Sequence, residues 1–220
     1  MPRRSRKILL FNPWIYDFAA YDFWTKPLGL LLIGHILREQ GYETYLVDCL
    51  DRYHPELLQH SEYPPPVERE NGTGKFLREE IEKPAVLAHI PRRYCRYGLP
   101  PQVVTNLLAK MPFEPDIILV TSIMTYWYPA VKDAVVMLKN CFPAARIVLG
   151  GIYATLCPAH ALHHIKPDIL VQGPGEEQVL KIVGEYNLSG KTENYQADYS
   201  LYENVRSVAI ITSRGCPFCC

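Results

Sequence analysis

Three cysteines with metal-ligand chemistry lie close together, at Cys216, Cys219 and Cys220. Thiolates are soft ligands that select zinc and iron–sulfur clusters. Cys216 and Cys219 have the spacing of half a zinc site or of a thiol redox pair. A zinc site needs two further ligands at close spacing, and none follows; a redox pair should open a helix after a strand. The cysteines could also serve only as small apolar residues.

The residues before these cysteines carry a more specific pattern. An apolar segment that predicts a strand, Val208–Ile211, leads directly into the sequence Thr-Ser-Arg-Gly-Cys-Pro at 212–217. This pattern resembles the opening of the cluster loop of radical S-adenosylmethionine (radical SAM) enzymes, in which C-x3-C-x2-C follows a strand. The resemblance implies that Cys216 and Cys220 are two of the three thiolate ligands of a 4Fe–4S cluster, and that Cys219 is not a ligand. It also implies that the fourth iron of the cluster, which has no thiolate ligand from the protein, binds S-adenosylmethionine.

The third cysteine of that motif would fall beyond Cys220. We therefore expect the chain to be a fragment of a radical SAM enzyme, truncated inside the cluster motif and inactive alone. Its expected partner is the catalytic barrel of the same polypeptide.

The composition is that of an ordinary globular protein. Hydrophobic residues make up 48% of the 220 residues and charged residues 21%, with a formal net charge of zero. This length allows one complete domain and part of another, and the neutral charge gives no reason to expect a nucleic-acid or membrane partner. The seven cysteines show no disulfide framework, and the apolar run after the basic N-terminus is too short for a signal peptide. We therefore expect a cytoplasmic protein.

Strands and helices alternate along most of the sequence. Apolar segments predict strands at 7–13, 43–49, 116–122, 146–149 and 168–172. Apolar residues at helical spacing predict helices at 27–40, 129–141, 158–164 and 176–186. Residues 51–115 form a long, irregular insertion, for which we predict only short helices near 75–82 and 102–110.

This alternation predicts an α/β fold with a sheet buried on both faces. Right-handed crossovers and five strands indicate a flavodoxin-like, Rossmann-type doubly wound parallel sheet in the order 2-1-3-4-5. Ligands of such sheets bind beyond the carboxyl ends of the strands. The functional residues are therefore expected at those ends.

The strand ends exclude several common ligand sites. Asn12–Trp14 stands where a dinucleotide-binding protein needs a glycine-rich turn. Gly72–Lys75 resembles a P-loop, but no strand precedes it and Phe76 replaces the required Ser or Thr. The third strand ends in Thr121-Ser122, where a phospho-receiver would carry an aspartate.

Small residues follow three of the predicted strands, in the segments 121–124, 150–155 and 173–176. They would let a large, flat ligand lie against the backbone. The arrangement resembles the cobalamin-binding domain that precedes the barrel in one class of radical SAM enzymes. Ser122-x-Met124 is similar to the Ser-x-Leu element of that domain, and Gly150-Gly151 is similar to its Gly-Gly turn.

The resemblance covers residues 7–220, is weakest over the insertion, and implies a cobalamin cofactor. It places the cofactor-binding residues at Thr121, Ser122, Met124, Gly150, Gly151, Ile152, Tyr153, Gly173, Gly175 and Glu176. The histidine that binds cobalt in another cobalamin class is missing after the first strand, as it commonly is in radical SAM relatives. Gly150 and Gly151 could alternatively form only a tight turn between a strand and a helix.

We therefore predict three regions. Residues 1–186 form a cobalamin-binding-like domain, 187–206 a linker, and 207–220 the start of a radical SAM domain. The predicted function is cobalamin binding within a radical SAM enzyme that catalyses methyl transfer or a related radical reaction. The alternative is a non-catalytic α/β module that docks to a partner or covers a substrate and has lost cobalamin.

Overall fold

A computed structural model describes residues 6–184 and 196–212 of the chain. The predicted cluster ligands Cys216 and Cys220 lie outside the described residues, as does the first part of the predicted linker. Within the described ranges, no helix has the length and apolar character needed to cross a membrane.

The described residues form strands and helices in alternation. The strands are β1 (Lys7–Asn12), β2 (Ile15–Asp17), β3 (Glu43–Asp48), β4 (Arg78–Glu80), β5 (Cys95–Tyr97), β6 (Ile117–Val120), β7 (Arg146–Leu149) and β8 (Ile169–Leu170). The α-helices are α1 (Leu28–Glu39), α2 (Pro55–Leu58), α3 (Pro101–Ala109), α4 (Tyr128–Cys141), α5 (Ile152–Leu156), α6 (Pro158–His164) and α7 (Gly175–Ile182).

The predicted doubly wound sheet is confirmed. Five strands pair in parallel in the order β3-β1-β6-β7-β8. When these strands are numbered along the chain within their own sheet, the order is 2-1-3-4-5. Strand β1 pairs with β3 along its whole length and with β6 from Ile8 to Phe11.

The sheet separates two hydrophobic cores. Leu9 and Phe11 of β1 pack in a core that includes α3 and α4, whereas Ile8 and Leu10 pack in a core that includes α1 and α7. Successive side chains of a strand point to opposite faces, so a strand that is apolar at every position contributes to both cores.

The insertion contains more regular structure than the sequence predicted. Its strands β5 and β4 form a second, antiparallel sheet with β2, which follows β1, in the order β2-β5-β4. The helix predicted near 75–82 is wrong, because Arg78–Glu80 is strand β4. Arginine and glutamate favour helices in isolation, but this segment pairs with β5, and such pairing overrides a weak local preference. The other short helix predicted in the insertion is present as α3.

Residues 196–206, in the predicted linker, lie against the large sheet and α1. The Tyr202 hydroxyl donates a hydrogen bond to Asp48 Oδ2 at 2.5 Å, and Arg38 Nη1 donates one to Asp198 Oδ2 at 2.7 Å. Leu201 packs closely on α1, because a Cβ atom added at Gly34 would lie only 2.8 Å from Leu201 Cδ1.

The strand predicted at Val208–Ile211 is absent. These residues have no regular secondary structure, and the side chain of Ile210 is 76% exposed. A strand depends on a hydrogen-bonded neighbour, and none of the described strands pairs with this segment. A tyrosine supplies its hydrogen bonds instead: the Tyr199 hydroxyl lies 2.5 Å from Ala209 N and 2.7 Å from Ala209 O.

Candidate functional site

A cavity of about 420 Å³ opens at the carboxyl ends of β6, β7 and β8. It lies between the sheet and the helices α1 and α7, which contribute Ile33 and Val179 to its wall. Its volume is within the range of small-molecule sites. Seven of the residues predicted for the cofactor site line this cavity: Thr121, Gly150, Gly151, Ile152, Gly173, Gly175 and Glu176.

The other three predicted site residues lie elsewhere. Ser122 is buried, and its hydroxyl donates a hydrogen bond to Gly150 O at 2.7 Å, which joins the turns after β6 and β7. Tyr153 is buried in the core, with its hydroxyl 2.7 Å from His160 Nδ1. Met124 is partly exposed on the loop after β6.

The two adjacent glycines have different roles. Gly151 has a φ of +95°, and a side chain there would place Cβ only 2.4 Å from Ser122 O. The space beside Gly151 is therefore already filled by backbone, and this glycine serves the turn. A Cβ at Gly150 would meet Val171 Cβ at an ordinary 3.8 Å. Gly150 thus borders space that a ligand can use.

Thr155 joins two of the turns that form the cavity. Its hydroxyl donates to Gly151 O at 2.9 Å and accepts from Gly173 N at 3.0 Å. Thr155 is not among the site residues predicted from the sequence, although its position four residues after Gly151 would place it over that turn once α5 is known. The α1 residues Gly29 and Ile33, which line the opposite wall, were not predicted either.

The lining suits binding more than acid–base chemistry. Its polar side chains are Thr121, Thr155 and Glu176, and the remaining lining residues are apolar or glycine. A flat apolar group would remove such walls from water. In the described ranges, no three His, Cys, Asp or Glu side chains form a group that could hold a metal ion. The predicted metal ligands Cys216 and Cys220 stay a prediction.

A buried polar network lies at the carboxyl ends of β1 and β3. Asp48 Oδ1 accepts a hydrogen bond from Asn12 Nδ2 at 2.6 Å, and its other oxygen accepts the bond from Tyr202. Lys26 Nζ lies 4.1 Å from the centre of the Tyr202 ring and 4.0 Å from Asp51 Oδ1. These contacts fix the segment 196–206 on the edge of the sheet formed by the carboxyl ends of its strands.

Asp51 should make stability depend on pH. Burial raises the pKa of its carboxyl to about 6, against an opposing effect of Lys26 and with added repulsion from Asp48 and Asp22. A carboxyl whose pKa is raised by folding favours the folded state below its unfolded value. This contribution is lost as pH rises from about 4 to above 6.

We therefore expect Asp51→Asn, which cannot ionise, to gain about 2.5 kcal/mol of unfolding free energy relative to the wild type between pH 4 and pH 7.5. Urea denaturation of both proteins at several pH values tests this. Parallel pH profiles for the two proteins would contradict it.

No protein-family model matches the chain. The chain is similar to the cytidylyl-2-hydroxyethylphosphonate methyltransferase of Streptomyces wedmorensis, with 24% identity over 176 residues, which cover 79% of this chain and 27% of that protein. Among solved structures, it is similar to the radical S-adenosylmethionine methyltransferase TsrM from Kitasatospora setae, which was solved with its tryptophan substrate and a SAM analogue. That similarity has a TM-score of 0.49 and 15% identity, and covers 81% of this chain and 25% of that one. The chain spans about a quarter of the length of each of these methyltransferases.

Proposed function

We propose that this chain supplies the cobalamin-binding domain of a radical SAM enzyme of the methyltransferase type. The observation that carries the proposal is the cavity at the carboxyl ends of β6, β7 and β8. Gly150 borders this cavity and has no side chain that would fill it. The sequence similarity to a methyltransferase supports the reaction class. The methyltransferase that this chain resembles is a much longer protein, and we expect no activity from this chain alone.

In this proposal the cavity would hold the flat, largely apolar base of the cobalamin nucleotide tail. Ile33 and Val179 would contact the base from α1 and α7, and Gly150 would let it lie against the backbone. Ser122 and Thr155 would keep the three turns in place through their hydrogen bonds to Gly150 O, Gly151 O and Gly173 N. Bound cobalamin would supply the methyl-carrying chemistry.

The cysteine motif supplies the second half of the proposal. Cys216 and Cys220 would contribute two thiolates to a 4Fe–4S cluster that binds S-adenosylmethionine, with the third ligand and the barrel in the same longer polypeptide. The described segment 196–212 leads towards this motif. Its contacts with Asp48 and Arg38 would set where the chain enters the barrel.

Titration with hydroxocobalamin, followed by its visible absorbance, tests the cobalamin site. We expect saturable binding to the wild type and at least about tenfold weaker binding to Gly150→Leu, because the new side chain would occupy the ligand's space. Ala159→Leu is the matched control, since it adds an equivalent side chain at an exposed position of α6 outside the cavity. Circular dichroism checks that both variants fold.

Absence of saturable binding to the wild type would refute the cobalamin site. Equal affinity of Gly150→Leu and the wild type would also refute it, because the cavity could not then hold the cofactor.

A further inference from the structure

A second cavity, of about 300 Å³, lies at the carboxyl end of β3. In the strand order it is on the other side of β1 from the first cavity. Its walls are mainly apolar and include Leu50 and Leu57, which follow β3, and Phe76 and Leu99 from the insertion. Val67 also lines it, and the side chain of Val67 is 68% exposed, which indicates that it lies near the mouth.

Two cationic side chains in the lining have no acidic partner in the part of the chain that the structure describes. Lys75 and Arg78 both line the cavity and are exposed. Arg78 contacts the Tyr97 phenol, but among the described residues no ion pair joins either cation to a carboxylate. The neighbouring arginines differ, because Arg93 pairs with Glu80 and Arg96 with Glu79.

The acids near this cavity are already partnered. Asp51 lines it, accepts a hydrogen bond from Tyr53 N at 3.2 Å and lies 4.0 Å from Lys26 Nζ. Arg52 also lines it and donates to Asp22 Oδ2 at 2.7 Å. The charge that remains for a ligand is therefore positive and belongs to Lys75 and Arg78.

We propose that this cavity binds a small apolar molecule that carries one negative group, such as a carboxylate, sulfonate or phosphate. The apolar walls would remove the body of the ligand from water. Lys75 and Arg78 would pair with its anion, and charge-assisted hydrogen bonds of this kind are stronger than neutral ones. The site uses none of the residues proposed to bind cobalamin.

Isothermal titration with naphthalene-2-sulfonate tests the proposal, with naphthalene-2-sulfonamide as the neutral probe of the same shape. We expect the anion to bind about tenfold more tightly than the amide, as two partly exposed ion pairs would give. The double variant Lys75→Gln/Arg78→Gln should abolish this preference while the amide binds as before. A general loss of structure would not produce that pattern.

A second variant tests the location. Val67→Trp should weaken binding of the sulfonate at least about tenfold by filling the mouth. Val86→Trp is its matched control, because Val86 is 77% exposed and lines neither cavity. Absence of saturable binding, equal binding by Val67→Trp, or an unchanged charge preference in the double variant would overturn the proposal.

Competition separates this site from the cobalamin site. Saturating hydroxocobalamin should leave naphthalene-2-sulfonate binding unchanged. Displacement by cobalamin would overturn the proposal of a second site and leave the first intact, whereas a failed cobalamin titration would leave the second site standing.

Discussion

Replacing Asp48 by alanine is expected to lower the free energy of unfolding by about 4 kcal/mol, enough to unfold a large fraction of a marginally stable chain. Asp48 is only 2% exposed, and its carboxylate accepts hydrogen bonds from Asn12 Nδ2, Leu50 N and the Tyr202 hydroxyl at 2.6, 2.9 and 2.5 Å. Alanine would leave all three donors buried without this acceptor, and each such loss costs about 1–3 kcal/mol. Urea denaturation followed by circular dichroism measures the effect.

Two further variants separate the network from the surface contacts of the same segment. Tyr202→Phe removes one donor and should cost about 1.5–3 kcal/mol, because the lost bond is to a carboxylate. Asp198→Ala breaks an ion pair with the half-exposed Arg38 and removes the acceptor of two hydrogen bonds from Ser200, and should cost about 1–2 kcal/mol. If Asp48→Ala were as mild as Asp198→Ala, the segment 196–206 would not be held by the buried network.

The network also shows which parts of the fold follow from local sequence. The five strands of the large sheet and most of its helices could be predicted because their apolar periodicity and glycine or proline boundaries are local signals. Arg78–Glu80 could not, because its strand depends on pairing with Cys95–Tyr97 across the insertion. The docking of Tyr202 on Asp48 joins residues 154 positions apart, and no local pattern encodes such a contact.

The location of the candidate site at the carboxyl ends of the strands could be predicted from the sequence. Parallel strands place their carboxyl ends on one edge, so the small residues after β6, β7 and β8 had to come together. Which side chains face the cavity was not predictable. Ser122 and Tyr153 carry hydroxyl groups of the kind found in polar sites. Ser122, however, joins two turns, and Tyr153 packs in the core. The burial of Tyr153 depends on the short helix α5, which was not predicted from the sequence.

Gly151→Ala is expected to cost about 3 kcal/mol or more, although it adds a single methyl group. Gly151 has φ +95° and ψ −171°, a backbone conformation that is accessible essentially only to glycine and costs other residues about 1–3 kcal/mol. The added Cβ would also lie 2.4 Å from Ser122 O and 2.8 Å from Ser122 N. These are backbone atoms of a buried loop, so they cannot move aside as a flexible side chain could.

The adjacent glycine provides the matched control. Gly150→Ala adds the same methyl group next to Val171 at an ordinary contact distance of 3.8 Å, so we expect a change of less than about 1 kcal/mol. Chemical denaturation of the two variants in parallel compares them. Equal stability of the two would show that the turns after β6 and β7 can separate. The cavity beside Gly150 would then not have fixed walls, and the ligand site proposed there would lose its structural basis.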